Sequence, residues 1–566
     1  MTNLAKQRTK SLQSIDIDTI NEYDITKDEI FNRFSNSKLP DGLEEPSSGI
    51  IQYAGAFGKN EAAHLLRRTV FGHDKATLDA YSTKTVTQAV DDILNTTTAV
   101  SEYPKYWNNA ASSDYGQEWH NQGYIPIKDN EQSTSLAYWL AGRITGHDST
   151  IMEKMVFFWH NHFATEIDAV GNSIDSYNYF KLIRDNAMGN FKDFAYKMTI
   201  EPAMLKYLNG IYNTKNAPDE NHARELMELF TLGKDPASQY TESDVQLAAK
   251  VLTGWKINGT TRASFFNAAA HDSTNKTFSS FFNGNTINGK TGATGALEVQ
   301  DLIDLIFTKS DVVAQFIVRK LYRYFVYYNI TADIETNVII PLANDFKANW
   351  DIKPLLKALL VSDHFYDPLN RGCYIKTPFD LFGGMNRAFK LISPSSTIFK
   401  QYKSYELTYF FGATMSLLMG EPPNVAGWPA FYQTPKYHEI WINSDTFPKR
   451  VSYLVYVGYT GYRIQNEAVV VDHIAMAEQF GTDAADPDKL VAGICDLALG
   501  LDISAASKTT IKVGSLLGGL TVNSYWTTAW NDYQADKNNA VKKNTVVLRL
   551  VLLLKFIFEL PEYQLM

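Results

Sequence analysis

Cysteine is almost absent from this chain: Cys373 and Cys495 are the only two in 566 residues. Two isolated thiols exclude a disulfide framework and a cysteine-rich zinc site, and they leave the redox compartment open. Long basic runs are missing too. Lys and Arg number 53 against 62 Asp and Glu, a formal charge of −9, so a nucleic-acid partner has little electrostatic support. The most apolar stretch, "VVLRLVLLLKFIFEL" at 546–560, is shorter than the roughly 20 residues a bilayer requires. Arg549 and Lys555 interrupt it, and it reads as a packed terminal helix with no membrane span. The opening "MTNLAKQRTKSLQSIDIDTINEYD" lacks the apolar core of a signal peptide. The location stays open, cytoplasmic or exported with a partner. A P-loop, a G-x-S-x-G elbow and a dinucleotide fingerprint are all lacking, which removes support for nucleotide use and for the α/β-hydrolase triad.

Aromatic residues, by contrast, are plentiful, with 32 Tyr, 32 Phe and 10 Trp. They imply either a large core with half-buried tyrosines or a surface that meets other molecules. The chain exceeds the usual size of one domain. Residues 1–55 are polar and end in "LPDGLEEPSSG", so they read as an arm or linker. A helical lobe is expected over 56–256, where apolar residues recur at helical spacing and alternating strand patterns are scarce. At 257–296, Gly, Asn, Thr and Ser dominate with Phe pairs between them, which predicts a long loop or small β insertion that packs down. Helices resume over 297–450, interrupted by the aromatic, Pro-rich "EPPNVAGWPAFYQTPKYHEIWINSDTF", and a C-terminal helical region fills 451–566. The fold class is mainly α, a large multi-helix assembly.

Candidate chemistry falls in four places. "FFWHNHFA" (157–164) carries His160 and His162 on a segment that is apolar nearly all round, as expected of a buried helix. Positions two apart on a regular helix diverge by about 200°, so the two imidazoles cannot share an ion unless the helix breaks at Asn161. They are either core histidines with satisfied hydrogen bonds, or one of them serves a metal or ligand with partners from elsewhere. "NAPDENHARELMELFTLG" (216–233) has a capping start at Asn216 or Asp219, Pro218 for the first turn, and Gly233 as a stop. On its wheel Glu220, Arg224 and Glu228 form a solvated ladder. Glu225 and His222, three apart, turn toward the apolar side. A carboxylate there must be paired, metal-bound or protonated, which makes Glu225 the strongest catalytic or metal-binding candidate. "AAAHDSTNKTF" places His271, Asp272 and Lys276 on the 257–296 segment, either as turn caps or as a pair closing over a site. Trp428, Tyr432 and Trp441 offer flat faces for a glycan or peptide, or a staple between lobes.

The segments "HLLRRTVFG" (64–72), "MVFFWHNHFAT" (155–165), "ENHARELMELFTLG" (220–233), "VLTGW" (251–255), "HDSTNKTF" (271–278), "FIVRKLYRYFV" (316–326) and "EPPNVAGWP" with "WINSDT" (421–446) together resemble the DUF1800 family of bacterial proteins of unknown function. The resemblance implies a largely helical fold and a bacterial source, and it supplies no catalytic residues. It also implies an association with DUF1501 proteins, which resemble sulfatases and alkaline phosphatases and often carry export signals. At 222 this chain has His where the family pattern has Tyr, which leaves Glu225 as the better ligand candidate.

Two functions stay open. The chain is expected to be a binding or assembly partner in an envelope-associated or secreted system. The alternative is an enzyme in which Glu225 with His160 or His162 forms an acid–base site, or a metal site also using His222 and a divalent ion, hydrolysing envelope glycans.

Overall fold

A computed structural model describes residues 46, 49–95, 100, 102–146, 150–234 and 236–566. Most of the expected N-terminal arm lies outside the described residues. Helix α1 (Lys59–Thr69) starts where the Glu61 carboxylate accepts the Gly58 amide at 2.9 Å. It buries Ala62, Ala63, Leu65 and Leu66 on one face. The helix-period runs that follow become α2 (Asp129–Thr145), α3 (Met152–His162), α4 (Ser173–Asn186), α5 (Phe191–Thr199) and α6 (Pro202–Tyr207). Next come α7 (Glu220–Glu225), which continues into a π-helical turn at Leu226–Thr231, and α8 (Glu242–Val251). After the insertion described below, the chain forms α9 (Glu298–Phe307), α10 (Ser310–Phe325), α11 (Pro378–Ala388), α12 (Ile398–Thr414), α13 (Thr446–Val455), α14 (Ser524–Ala535) and α15 (Ala540–Glu559). The protein is mainly α, with sheets of only two or three strands among the described residues. No described helix is long and apolar enough to cross a membrane.

The core gathers around α3, whose Met155–Trp159 run is buried on every side. Phe157 meets Phe71, Phe379, Trp428 and Phe431 with ring centroids 5.2–6.4 Å apart. Trp159 meets Phe191 and Phe194 at 5.6 and 5.4 Å. Tilted, edge-on and stacked contacts of this kind add to plain apolar burial.

Residues 257–296 do form a small β insertion. Strand β1 (Trp255–Ile257) pairs antiparallel with β2 (Ser264–Phe266), and β3 (Lys276–Thr277) with β4 (Thr286–Ile287). Phe278 and Phe282 are buried and hold it down. The region after 451 also holds a small sheet among its helices. Strands β6 (Tyr462–Ile464) and β7 (Glu467–Val471) make a hairpin through Gln465, at φ +57°, and β7 also pairs with β5 (Leu391–Ile392). The β-branched run "AVVV" was the available signal. These pairings bridge the boundary expected at 450.

Glycine decides how α11 meets the end of α1. A Cβ on Gly383 would lie 2.1 Å from the Phe71 carbonyl oxygen, whereas one on Gly384 meets no atom within 4 Å. Gly383→Ala is therefore expected to destabilise the protein by on the order of 3 kcal/mol, while Gly384→Ala stays close to neutral. Thermal unfolding of the two variants, compared with the parent, checks the contrast.

Candidate functional site

Three consecutive polar residues end α3, and each reaches a different element. His160 is fully buried, and its Nδ1 lies 2.9 Å from the Tyr179 hydroxyl. That hydroxyl donates to the Phe163 carbonyl at 2.8 Å, so it accepts from His160 and the proton sits on Nδ1. His160 Nε2 has no partner and faces rings, with Phe180 at 4.7 Å and Trp428 at 5.5 Å. Burial lowers the His160 pKa to about 3. Asn161 accepts the Trp428 amide at 2.8 Å. The chain passes so close that a Cβ on Gly427, at φ +88°, would sit 2.3 Å from Asn161 Oδ1. His162 donates from Nε2 to the Phe230 carbonyl at 3.1 Å and accepts the Lys320 amine at Nδ1, 3.0 Å away.

Lys320 was not singled out in the sequence, where a lysine on an amphipathic helix reads as solvated. Its amine also donates to the Leu229 carbonyl at 3.1 Å and lies 4.6 Å from the Phe316 ring centroid. Burial, with Arg323 nearby, brings it down to about 7. The carbonyls of Leu229 and Phe230 are orphan acceptors at the C-terminal end of the π turn, and Gly233 (φ +80°) leads the chain away. A lysine amine and an imidazole N–H at such an end satisfy acceptors and complement the helix dipole. Segments 155–165, 220–233, 316–326 and 421–446 thus converge on the end of α3.

The π turn also revises the helical wheel. Asp219 is the N-cap, accepting the Asn221 amide at 2.9 Å, and Pro218 precedes it. Arg224 pairs with Glu220 at 3.0 Å and with Glu242 at 2.6 Å, but Glu228 pairs with Lys234 at 2.9 Å. The inserted residue of the π turn takes Glu228 off the ladder. Glu225 is half-buried and makes no hydrogen bond or ion pair with a described residue. Burial and Glu228 raise its pKa. His222 is buried with neither ring nitrogen partnered, and its Nδ1 is 3.1 Å from where a Gly210 Cβ would stand.

His160, His162, His222 and Glu225 therefore do not converge. Among the described residues no three His, Cys, Asp or Glu side chains are placed to hold a metal ion. The physical reason is the divergence of adjacent helix positions together with the carbonyl already bound by His162.

His271 is 4% exposed and locked rather than poised over a site. Its Nδ1 is 3.0 Å from the Thr253 carbonyl, and Nε2 is 3.0 Å from Glu298. Glu298, fully buried, also takes the Lys276 amine at 2.6 Å and the Lys290 amide at 2.5 Å. Burial alone would raise the Glu298 pKa, but these donors, His271 among them, hold it below the ordinary value. Asp272 caps its own turn by accepting the Thr274 amide at 2.8 Å. Glu298 itself escaped notice because an acid in a first helical turn needs no special explanation. Trp428 and Trp441 are buried at 1% and 2% exposure, so neither can stack on a glycan or peptide. Both are spent between elements, and of the three rings only Tyr432 is exposed.

Four buried histidines set an acid limit. Burial brings His73, His160 and His438 to about 3 and His222 to about 4. These values lie below the roughly 6.5 of an unfolded histidine, so the unfolded chain binds more protons in between. The stability these residues confer is present above about pH 6.5 and is lost as pH falls toward 3. The thermal midpoint should decline below pH 6.5, and His222→Tyr should make the decline shallower by about one proton, read from midpoints across a pH series.

Neither the comparison with curated proteins nor the comparison with solved structures returned a match. The model of a protein family described as a protein of unknown function, DUF1800, matches residues 64–565, and the chain belongs to that family.

Proposed function

We propose that this chain is a binding or assembly protein, and that its partner is a DUF1501-type protein in an envelope-associated or secreted system. The observation that carries this reading is where side chains are spent. Three of the histidines that suggested chemistry, His160, His162 and His271, bind groups of the chain itself, and Trp428 and Trp441 are packed inside it. Apolar side chains stand outward on the α14–α15 hairpin instead, with Tyr525, Val541 and Leu548 at 47%, 75% and 56% exposure. Tyr525 and Val541 flank a groove of about 450 Å³ that also contains Lys542 and Asp532. Clustered exposed apolar groups with a polar rim are the usual mark of an interaction surface. The partner class rests on the association implied by the family resemblance.

Co-expression with a DUF1501-type protein, followed by size-exclusion chromatography, tests the proposal. One shared peak is expected, and a Val541→Asp/Tyr525→Ser variant should split it while keeping the parental thermal midpoint. Two separate peaks with the parent chain would overturn the reading.

Glu225 favours a second reading, an acid–base enzyme. It is the one candidate carboxylate that is half-buried, unpartnered and raised in pKa by burial and Glu228, the direction of shift a general acid needs. Glu225→Gln should then abolish a host phenotype without lowering the amount of folded protein. If the variant complements a deletion strain fully, the enzyme reading fails.

A further inference from the structure

A second cluster lies where α1, α11, α13 and the last residues of the chain meet. Arg68, Lys154, Lys376, Arg387 and Arg450 are all buried, none more than 7% exposed, and Asp380 is the one buried carboxylate among them. Lys154 already pairs with Asp380, and Asp380 also accepts from the Thr377 hydroxyl at 2.7 Å. Lys376 has no acidic partner. Its amine donates to the Tyr563 carbonyl at 2.7 Å and lies 4.2 Å from the Tyr563 ring centroid. Arg450 donates to Gln564 at 2.8 Å and to the Lys376 carbonyl at 2.7 Å, while its Nη1 has no partner. Backbone carbonyls take part of this charge, with Arg68 on Asn370 at 3.0 Å, Arg387 on Gly72 at 2.8 Å and Arg67 on Asp496 at 2.7 Å, but several cations still share one carboxylate, which is costly to bury.

The cluster borders a cavity of about 30 Å³ whose lining includes Arg67, Gly72, His73, Lys376, Asp380 and Gly384. His73 is 3% exposed and neither of its ring nitrogens has a hydrogen-bond partner. A neutral imidazole always carries one N–H donor, and here that donor has no acceptor. The volume admits one or two water-sized objects.

We infer that this cavity is a binding site for a small monovalent inorganic anion of halide size, held by the His73 N–H and the surrounding Lys376 and Arg67 cations. An anion there would give His73 its missing acceptor and offset the excess positive charge. It would also favour the charged form of Lys376, which burial first and Arg67 next bring down to about 7. An oxyanion such as sulfate is too large for the space. The site lies apart from the end of α3 and does not depend on the proposed partner.

Thermal unfolding of the full chain in sodium chloride, sodium bromide and sodium gluconate at matched ionic strength tests the inference. Chloride and bromide should raise the midpoint by about 1–3 °C over gluconate. His73→Phe, which keeps the ring but removes the N–H, should erase the difference. Crystals grown in bromide should show an anomalous peak in this cavity. Equal midpoints in all three salts, or bromide crystals with no peak there, would overturn it. The crystal arm stands even where His73→Phe does not fold.

Discussion

The structure depends on keeping polar groups satisfied inside an aromatic core. Helix α3 is buried on all sides, yet it ends in His160, Asn161 and His162. An unpaired buried polar group costs on the order of 1–3 kcal/mol, so each of these side chains must find a partner as the elements assemble. Tyr179 on α4, the Trp428 amide and the Phe230 carbonyl are the partners found. Because they come from elements distant in sequence, satisfying them fixes where those elements sit. Apolar packing alone would tolerate sliding, whereas the hydrogen bonds admit one register.

The β insertion is tied down by the same logic. Glu298, at the start of α9, collects His271, Lys276 and the Lys290 amide at once. One buried carboxylate therefore anchors three points of a segment whose strands are only two or three residues long. Such short strands hold little by themselves. Arg262, in the left-handed region at φ +60°, adds a two-pronged contact to Asp175 on α4.

Much of the fold could be read in advance. Helical spacing located the long helices, composition located the β insertion, and the all-round apolar character of 151–164 announced a central helix. The site was less legible. Spacing along one helix could show that His160 and His162 diverge, but not that a carbonyl and Lys320 would occupy His162. A wheel drawn for a regular helix misplaced Glu228, because nothing local in "LMELFT" marks a π turn. Glu298 and Lys320 look like ordinary surface residues until the elements that surround them are known. The β6–β7 hairpin was missed because its valine run is short and lies among helices.

The π turn at Leu226–Thr231 makes chain length, and not only residue type, a structural variable. It holds one residue more than an α-helical path between the same points would need. Removing one residue from that stretch would let the helix close regularly between the same points, and its carbonyls would be taken up by the i→i+4 ladder. The carbonyls of Leu229 and Phe230 would then turn away from Lys320 and His162, although every donor and acceptor was still encoded. Among relatives of this chain, a gap of one at this position would signal a rewired junction more surely than a change of any side chain within it.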